Sequence, residues 1–144
     1  MTIEEFVAAR PDLVSCGRPS TAAEIDRFER ELDFPVPLRI RAIWSQFGSG
    51  TLFETEDFFT PAVDLVTGES AYSKTTEMRR RGLSPDLVVI HSGLAGFTFL
   101  DPSGEIYQAD HAHRYSPRRK YANFDDWFQS SLMAEYAGRY GLTY

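Results

Sequence analysis

The N-terminal third of the chain contains apolar positions that recur with the period of an α-helix. Ile25, Phe28 and Leu32 are three or four residues apart, and every position between them is charged. This spacing places the three apolar side chains on one helical face. Thr21 and Glu24 have the spacing of a capping box, which satisfies free backbone N–H groups at a helix start. We therefore predict an amphipathic helix that begins after Thr21.

A proline-rich connector separates this helix from a second one. The prolines in residues 34–37 restrict φ and lack an N–H group, so the connector is rigid. Pro37 suits the first position of a helix, and Gly48 suits its C-terminal end. A shorter helix over residues 3–9 is predicted from a similar cap spacing. The apolar stripe of the helix after the connector consists of Ile40, Ile43, Trp44 and Phe47.

The middle of the chain has the short apolar and β-branched runs that are typical of strands. Two of these runs flank residues 101–104, Asp-Pro-Ser-Gly, a strong turn sequence that predicts a hairpin. The polar stretch of residues 69–81 is predicted to form a surface helix that ends at Gly82. We expect strands or irregular sheet edges at residues 51–53, 58–66, 87–90, 96–100 and 105–108.

The C-terminal segment predicts a helix that packs through an aromatic face. Asn123 is a good N-cap, and Asp125 and Asp126 favour the positive end of the helix dipole. The full pattern predicts an α+β fold in a single domain over residues 1–144, with N-terminal helices, a central and mainly antiparallel sheet, and a C-terminal helix packed on the sheet. The apolar positions of that last helix are Phe124, Trp127, Phe128, Leu132, Tyr136 and Tyr140.

Charge is distributed unevenly along the chain. The net charge is −6, which disfavours direct nucleic-acid binding because such proteins concentrate positive charge on one face. Residues 1–71 carry 13 acidic and 6 basic side chains, whereas residues 72–144 carry 8 acidic and 9 basic ones. Between Ala42 and Ser73 there is no Lys or Arg. We therefore expect an acidic surface that attracts a basic protein partner.

The segment of residues 52–59, Leu-Phe-Glu-Thr-Glu-Asp-Phe-Phe, combines apolar side chains with three acids. An apolar centre with a charged rim is the anatomy of a protein-recognition surface. The alternative is that its phenylalanines belong to the core and its acids to a solvated loop, and both interpretations stay open from sequence. The predicted partner-binding residues are Glu54, Glu56, Asp57, Phe58, Phe59, Asp64 and Glu69.

Candidate catalytic and metal-binding residues are few. Cys16 is the only cysteine, so neither an internal disulfide nor a paired-cysteine zinc motif can form. His111 and His113 would point to one side of a strand and could bind a metal with His91 or Asp101, but a polar loop next to Arg114 is the favoured alternative.

Established catalytic sequence motifs are also missing from the chain. His91 and Ser92 are adjacent on a predicted strand, so they point to opposite faces, and we expect His91 to be a partly buried residue with a hydrogen-bond partner. Nucleophile-elbow, phosphate-loop, zinc-protease and dinucleotide motifs do not occur. We predict no catalytic residues, no metal and no cofactor, and therefore no enzyme. A metal-dependent enzyme that uses the three histidines is the less favoured alternative.

The helix–proline–helix run of residues 20–50 resembles the signature of the SMI1/KNR4 (SUKH) family. Weaker matches occur at residues 88–93, 104–107 and 123–127. Many relatives have Gly where this chain has Asp33, and Asp tolerates the left-handed backbone conformation better than most residues. The positions that carry the resemblance are Glu24, Ile25, Phe28, Glu29, Pro37, Trp44, Gly48 and Gly50, together with Trp127 in the C-terminal helix.

The resemblance implies a protein-binding module. Many bacterial members look like immunity proteins that occlude a cognate toxin, often a nuclease-like domain, and a basic toxin domain is the partner expected here. The alternative is an intracellular regulatory scaffold of the SMI1/KNR4 type without a toxin partner. The N-terminus has neither a secretory signal nor a membrane helix, so we expect a cytoplasmic protein without membrane contact. A monomer or weak homodimer is expected.

Overall fold

A computed structural model describes residues 1–142 and contains one seven-stranded antiparallel sheet. The strands follow one another in chain order, so each pairs with its neighbours in sequence. Some of these antiparallel strands are joined by short turns, whereas helices are inserted between the first and second strands and between the third and fourth. The architecture confirms the predicted α+β fold. The strands are β1 Val14–Cys16, β2 Gly50–Leu52, β3 Glu56–Phe58, β4 Val88–Gly93, β5 Gly96–Leu100, β6 Ile106–Ala109 and β7 Arg119–Tyr121.

Three helices precede the second strand, as the apolar periodicity predicts. They are α1 Ile3–Ala9, α2 Ala22–Leu32 and α3 Leu38–Trp44. The predicted capping boxes form at the starts of α1 and α2. Asp33 ends α2 with a φ of 47°, so it takes the left-handed conformation expected of it. Pro37 is the residue before α3 rather than its first residue, and α3 ends at Trp44 instead of continuing to Phe47.

The chain between β3 and β4 differs from the sequence prediction. The strand predicted over residues 58–66 ends at Phe58, and residues 59–70 form a loop that leads to helix α4, Ala71–Arg80. Pro61 has no N–H group to donate to a strand ladder. The Asp64 side chain instead accepts hydrogen bonds from the backbone of the next residues, which favours a turn.

The C-terminal helix is one continuous element with a π-helical turn in its middle. It comprises α5 Phe124–Trp127, the π-helical turn Phe128–Met133 and α6 Ala134–Tyr140. The Asn123 side chain accepts a hydrogen bond from the Asp126 N–H at 2.8 Å, so the predicted N-cap is confirmed. The aromatic face joins the hydrophobic core through the buried side chains of Phe124, Trp127, Phe128 and Tyr136.

One arginine forms ion pairs with helices near both ends of the chain. Arg39 on α3 contacts Glu4 on α1, with 2.6 Å between Nη1 and Oε2. Its Nη2 lies 2.8 Å from Oδ1 of Asp125 on α5. The hydrogen bond from Arg39 lowers the pKa of Glu4 to about 2. Segments that are distant in sequence are therefore held together by a partly exposed ion-pair network.

Candidate functional site

The loop between β3 and α4 presents large apolar side chains to solvent. Leu65 is 96% exposed and Val66 is 94% exposed, whereas Val63 and Tyr72 are about half exposed. Single exposed apolar residues are normal, but a group of them on one loop is typical of a protein-interaction surface. The Tyr72 ring, at the start of α4, also lines a groove of about 250 Å³ with Phe28 and Val63.

Hydrogen bonds within the loop hold these side chains outward. Asp64 Oδ1 accepts from the Val66 N–H at 2.8 Å and from the Thr67 N–H at 3.3 Å. The backbone N–H of Asp64 donates to the Glu69 carbonyl oxygen at 2.8 Å, which closes the base of the turn. Residues 65–66 therefore lie at the tip of an ordered turn.

Buried hydroxyl groups anchor the beginning of this loop. Ser49 Oγ donates to the Ala62 carbonyl oxygen at 2.7 Å and accepts from the Thr60 N–H at 2.9 Å. Ser20 Oγ accepts from the Ala62 N–H at 3.0 Å. Ser20 precedes α2, and Ser49 follows α3, so the two helices that carry the sequence signature position the loop.

Two signature glycines allow this anchoring. A Cβ atom at Gly48 would overlap the carbonyl oxygen of Arg18, and one at Gly50 would overlap that of Ser15. Both glycines lie where two backbone segments approach each other closely, beside the hydroxyl that binds the loop. The Gly-Ser-Gly sequence is thus a structural requirement for the position of the exposed turn.

Three predicted acidic residues surround the exposed turn. Asp57 lies on the exposed side of β3, where partial burial and the nearby negative charge of Glu69 raise its pKa. Lys74 partly neutralises this region, with 3.3 Å between its Nζ and Glu69 Oε1. We define the acidic-apolar face as the set Asp57, Val63, Asp64, Leu65, Val66, Glu69 and Tyr72.

The other four predicted partner-binding positions lie outside this face. Glu56, Phe58 and Phe59 are buried, so the prediction that they contact a partner needs correction. Residues 56 and 58 of a strand point to the same side, and here that side is the core. Phe58 and Phe59 therefore belong to the core, as the alternative interpretation expects, but Glu56 is buried in β3 instead of lying in a solvated loop. Glu54 is exposed, but it lies in the turn before β3, at the opposite end of that strand from the acidic-apolar face.

Glu56 belongs to a buried polar cluster that also contains His91. Glu56 Oε1 lies 2.9 Å from His91 Nε2, and His91 Nδ1 lies 2.8 Å from Thr98 Oγ1. The Tyr136 hydroxyl donates to Glu56 Oε2 at 3.1 Å. Burial raises the pKa of Glu56, but the hydrogen bonds from His91, Leu94 N–H and Tyr136 outweigh it and lower the pKa overall.

The remaining candidate chemistry does not converge on one place. Residues 111–113 form a 3₁₀ turn rather than a strand, with His111 Nε2 2.8 Å from the Gly93 carbonyl oxygen and His113 beside Asp110. Among residues 1–142, no group of three or more His, Cys, Asp or Glu side chains is arranged to hold a metal ion. Burial raises the pKa of the Cys16 thiol to about 11, which keeps it protonated at neutral pH.

Two functional features escaped the sequence analysis. The sequence predicts a partly buried His91 with a hydrogen-bond partner. The partner is confirmed, but the side chain is completely buried and the partner, Glu56, lies 35 residues away in the chain. The sequence pattern predicts a strand or sheet edge over the Leu65-Val66 pair, which lies in the exposed turn instead. The Asp before this pair and the Gly that follows it at position 68 are turn signals that favour the observed loop.

Comparison with known proteins yields one family match. The model of the SMI1/KNR4 family (SUKH-1) matches residues 19–130, which is more than half of the chain and includes the acidic-apolar face. No curated protein sequence matches the chain significantly. Within residues 1–142, every helix is too short or too polar to span a lipid bilayer.

Proposed function

Because the chain belongs to the SMI1/KNR4 (SUKH-1) family, we propose that it is a protein-binding module that acts without catalysis, as an immunity protein against a bacterial toxin. The observation that carries this proposal is the acidic-apolar face. Its exposed apolar centre and charged rim match the organisation of recognition surfaces in general.

The ordered turn favours tight binding. A loop that is already fixed before association loses little conformational freedom when the complex forms. Leu65 and Val66 are held at the tip of such a turn by the Asp64 side chain. We propose that these two side chains enter an apolar depression on the partner and contribute most of the binding energy.

The acidic rim indicates the chemistry of the partner. A nuclease-like toxin must present basic side chains to bind the phosphate backbone of its substrate. Carboxylates at Asp57, Asp64 and Glu69 would attract the same basic surface and accelerate association. The module would then inhibit the toxin by covering its substrate-binding surface.

Binding to the product of the neighbouring gene tests the proposal. The double variant Leu65→Ser/Val66→Ser should weaken binding at least about a hundredfold, since two central apolar anchors are lost. The matched control is Leu38→Ser, because Leu38 is 84% exposed on α3 and outside the face. The double variant should also keep the wild-type unfolding free energy, because its side chains are almost fully exposed.

Two results would contradict the proposal or redirect it. Unchanged affinity in the double variant, measured by titration calorimetry, would exclude the acidic-apolar face as the binding site. A bound partner that lacks toxin activity in a growth assay would favour the regulatory scaffold over the immunity protein.

A further inference from the structure

A second cavity lies at the other end of β3, away from the acidic-apolar face. Its volume is about 440 Å³, and it is lined by the β4–β5 turn, by β6 and β7 and by the C-terminal helix. Buried groups form its inner wall, and exposed side chains surround its opening. The polar lining side chains are Glu56, Gln108, Arg119, Ser130, Ser131, Glu135 and Tyr136.

The inner wall of this cavity contains a buried carboxylate with unused hydrogen-bonding capacity. Glu56 is 2% exposed, and a carboxylate can accept about four hydrogen bonds. Its Oε2 atom accepts from the Tyr136 hydroxyl at 3.1 Å and from the Leu94 N–H at 3.2 Å. Within the described part of the chain, Oε1 has one partner, His91 Nε2. A ligand can therefore donate a further hydrogen bond to Oε1.

Two backbone features shape this cavity. A Cβ atom at Gly93 would overlap the Glu56 carboxylate, so glycine leaves the space that it occupies. The π-helical turn Phe128–Met133 supplies Ser131 and Leu132 to the cavity wall. Such turns are rare and are frequently found at functional sites. The cavity has therefore the features of a ligand site.

The lining favours a cation. Glu56 and Glu135 are negative, Arg119 is positive, and the hydroxyl of Ser131 and the amide of Gln108 supply neutral acceptors. We propose that this cavity binds a guanidinium group, which is planar and donates up to five hydrogen bonds to acceptors spread around it. The group belongs either to an arginine side chain of a protein or to a free small molecule.

An NMR titration with blocked arginine (N-acetylarginine N-methylamide) tests this proposal. Saturable shifts are expected for the Leu94 amide and for the indole N–H of Trp127, whose ring lies 5.0 Å from that of His91. The neutral isostere, blocked citrulline, should bind at least about tenfold more weakly, because a hydrogen bond to a charged group is stronger than a neutral one.

Variants of the chain provide the second arm of the test. Glu56→Gln should weaken the binding of blocked arginine at least about tenfold. Glu54→Gln changes an exposed acid outside the cavity and should leave this affinity unchanged. Ser131→Phe should abolish binding by filling the cavity, and it leaves the Glu56–His91 pair intact if Glu56→Gln fails to fold. Tighter binding of blocked arginine than of propylguanidinium would indicate a protein side chain, and the reverse order would indicate a small molecule.

The proposal is overturned if blocked arginine and blocked citrulline produce the same shifts. It is also overturned if Ser131→Phe binds blocked arginine as the wild type does, or if no saturable shift appears. These outcomes are independent of the acidic-apolar face, because Leu65→Ser/Val66→Ser changes residues at the opposite end of β3.

Discussion

The two ends of β3 depart from ordinary protein surfaces and cores in opposite ways. Beyond its C-terminal end, the aliphatic side chains Leu65 and Val66 are almost fully exposed on an ordered turn. At its N-terminal end, the charged side chain of Glu56 is almost fully buried beside His91. Exposed apolar groups and buried ionisable groups are both uncommon without a specific reason.

The difference lies in what each arrangement requires for stability. The exposed turn is held by hydrogen bonds to the Asp64 side chain and by the Ser20 and Ser49 hydroxyls at its base. Its apolar side chains are almost fully exposed, so they contribute little to folding. The buried carboxylate needs partners from β4 and from the C-terminal helix, because an unpaired charge in the core is strongly unfavourable. We therefore expect substitutions at the first end to change binding and those at the second to change stability.

The largest effect is expected from removing one member of the buried pair. His91→Leu should lower the free energy of unfolding by about 3–5 kcal/mol, because Glu56 loses the donor to its Oε1 atom. The double variant His91→Leu/Glu56→Leu should lose less unfolding free energy than the two single variants lose together. Urea unfolding monitored by tryptophan fluorescence measures both. A loss below about 1 kcal/mol in His91→Leu would show that the pair is not important for stability.

The partly exposed Arg39–Glu4 ion pair provides a comparison with the buried Glu56–His91 pair. The pKa of Glu4 is lowered to about 2 in the folded protein, so its stabilising contribution is complete above the ordinary value of 4.5 and is lost as the pH falls towards 2. Glu4→Gln should therefore destabilise the protein by about 1 kcal/mol at pH 7, since solvent screens the pair, and by almost nothing near pH 2.

Unfolding curves at pH 7, 4.5, 3 and 2 test this dependence. Glu5→Gln is the matched control on α1, because glutamine can also accept the capping-box hydrogen bond from the Thr2 N–H. An equal stability difference between wild type and Glu4→Gln at all four values would contradict the expected linkage.

The smallest effect on stability is expected at the acidic-apolar face. Burial and the charge of Glu69 raise the pKa of Asp57, so its ionisation disfavours the folded state as the pH rises through the ordinary range for Asp. Asp57→Asn should increase stability by no more than about 0.5 kcal/mol at pH 7, because solvent screens this exposed group. The same variant should slow association with a basic partner, measured by stopped-flow mixing at low salt. A marked loss of stability would show that Asp57 has a structural role instead.

The local elements were predictable from sequence to different degrees. Helices α2 and α3 and the C-terminal helix followed from apolar periodicity and caps such as Thr21 and Asn123, because these signals act within a few residues. The edge strands β1 and β7 were not predicted. Each is only three residues long and depends on pairing with a neighbouring strand.

The sequence predicts the acidic charge of the candidate site but not which of its apolar side chains are exposed. The absence of Lys and Arg between Ala42 and Ser73 pointed to an acidic surface, and Asp57, Asp64 and Glu69 lie on the defined face. Which apolar side chains are exposed could not be derived, because the hydrophobic pattern of Phe58 and Phe59 resembles that of Leu65 and Val66. Burial of the first pair and exposure of the second depend on where the strand ends.

The sequence by itself determined the positions of the main helices, the family signature and the acidic character of the middle segment. These properties depend on the identity and spacing of nearby residues. Only the tertiary structure decided that Leu65 and Val66 are exposed, that Glu56 meets His91, and that a cavity opens beside the π-helical turn. Contacts between residues 35 to 80 positions apart arise when strands and helices pack, and local patterns carry no information about them.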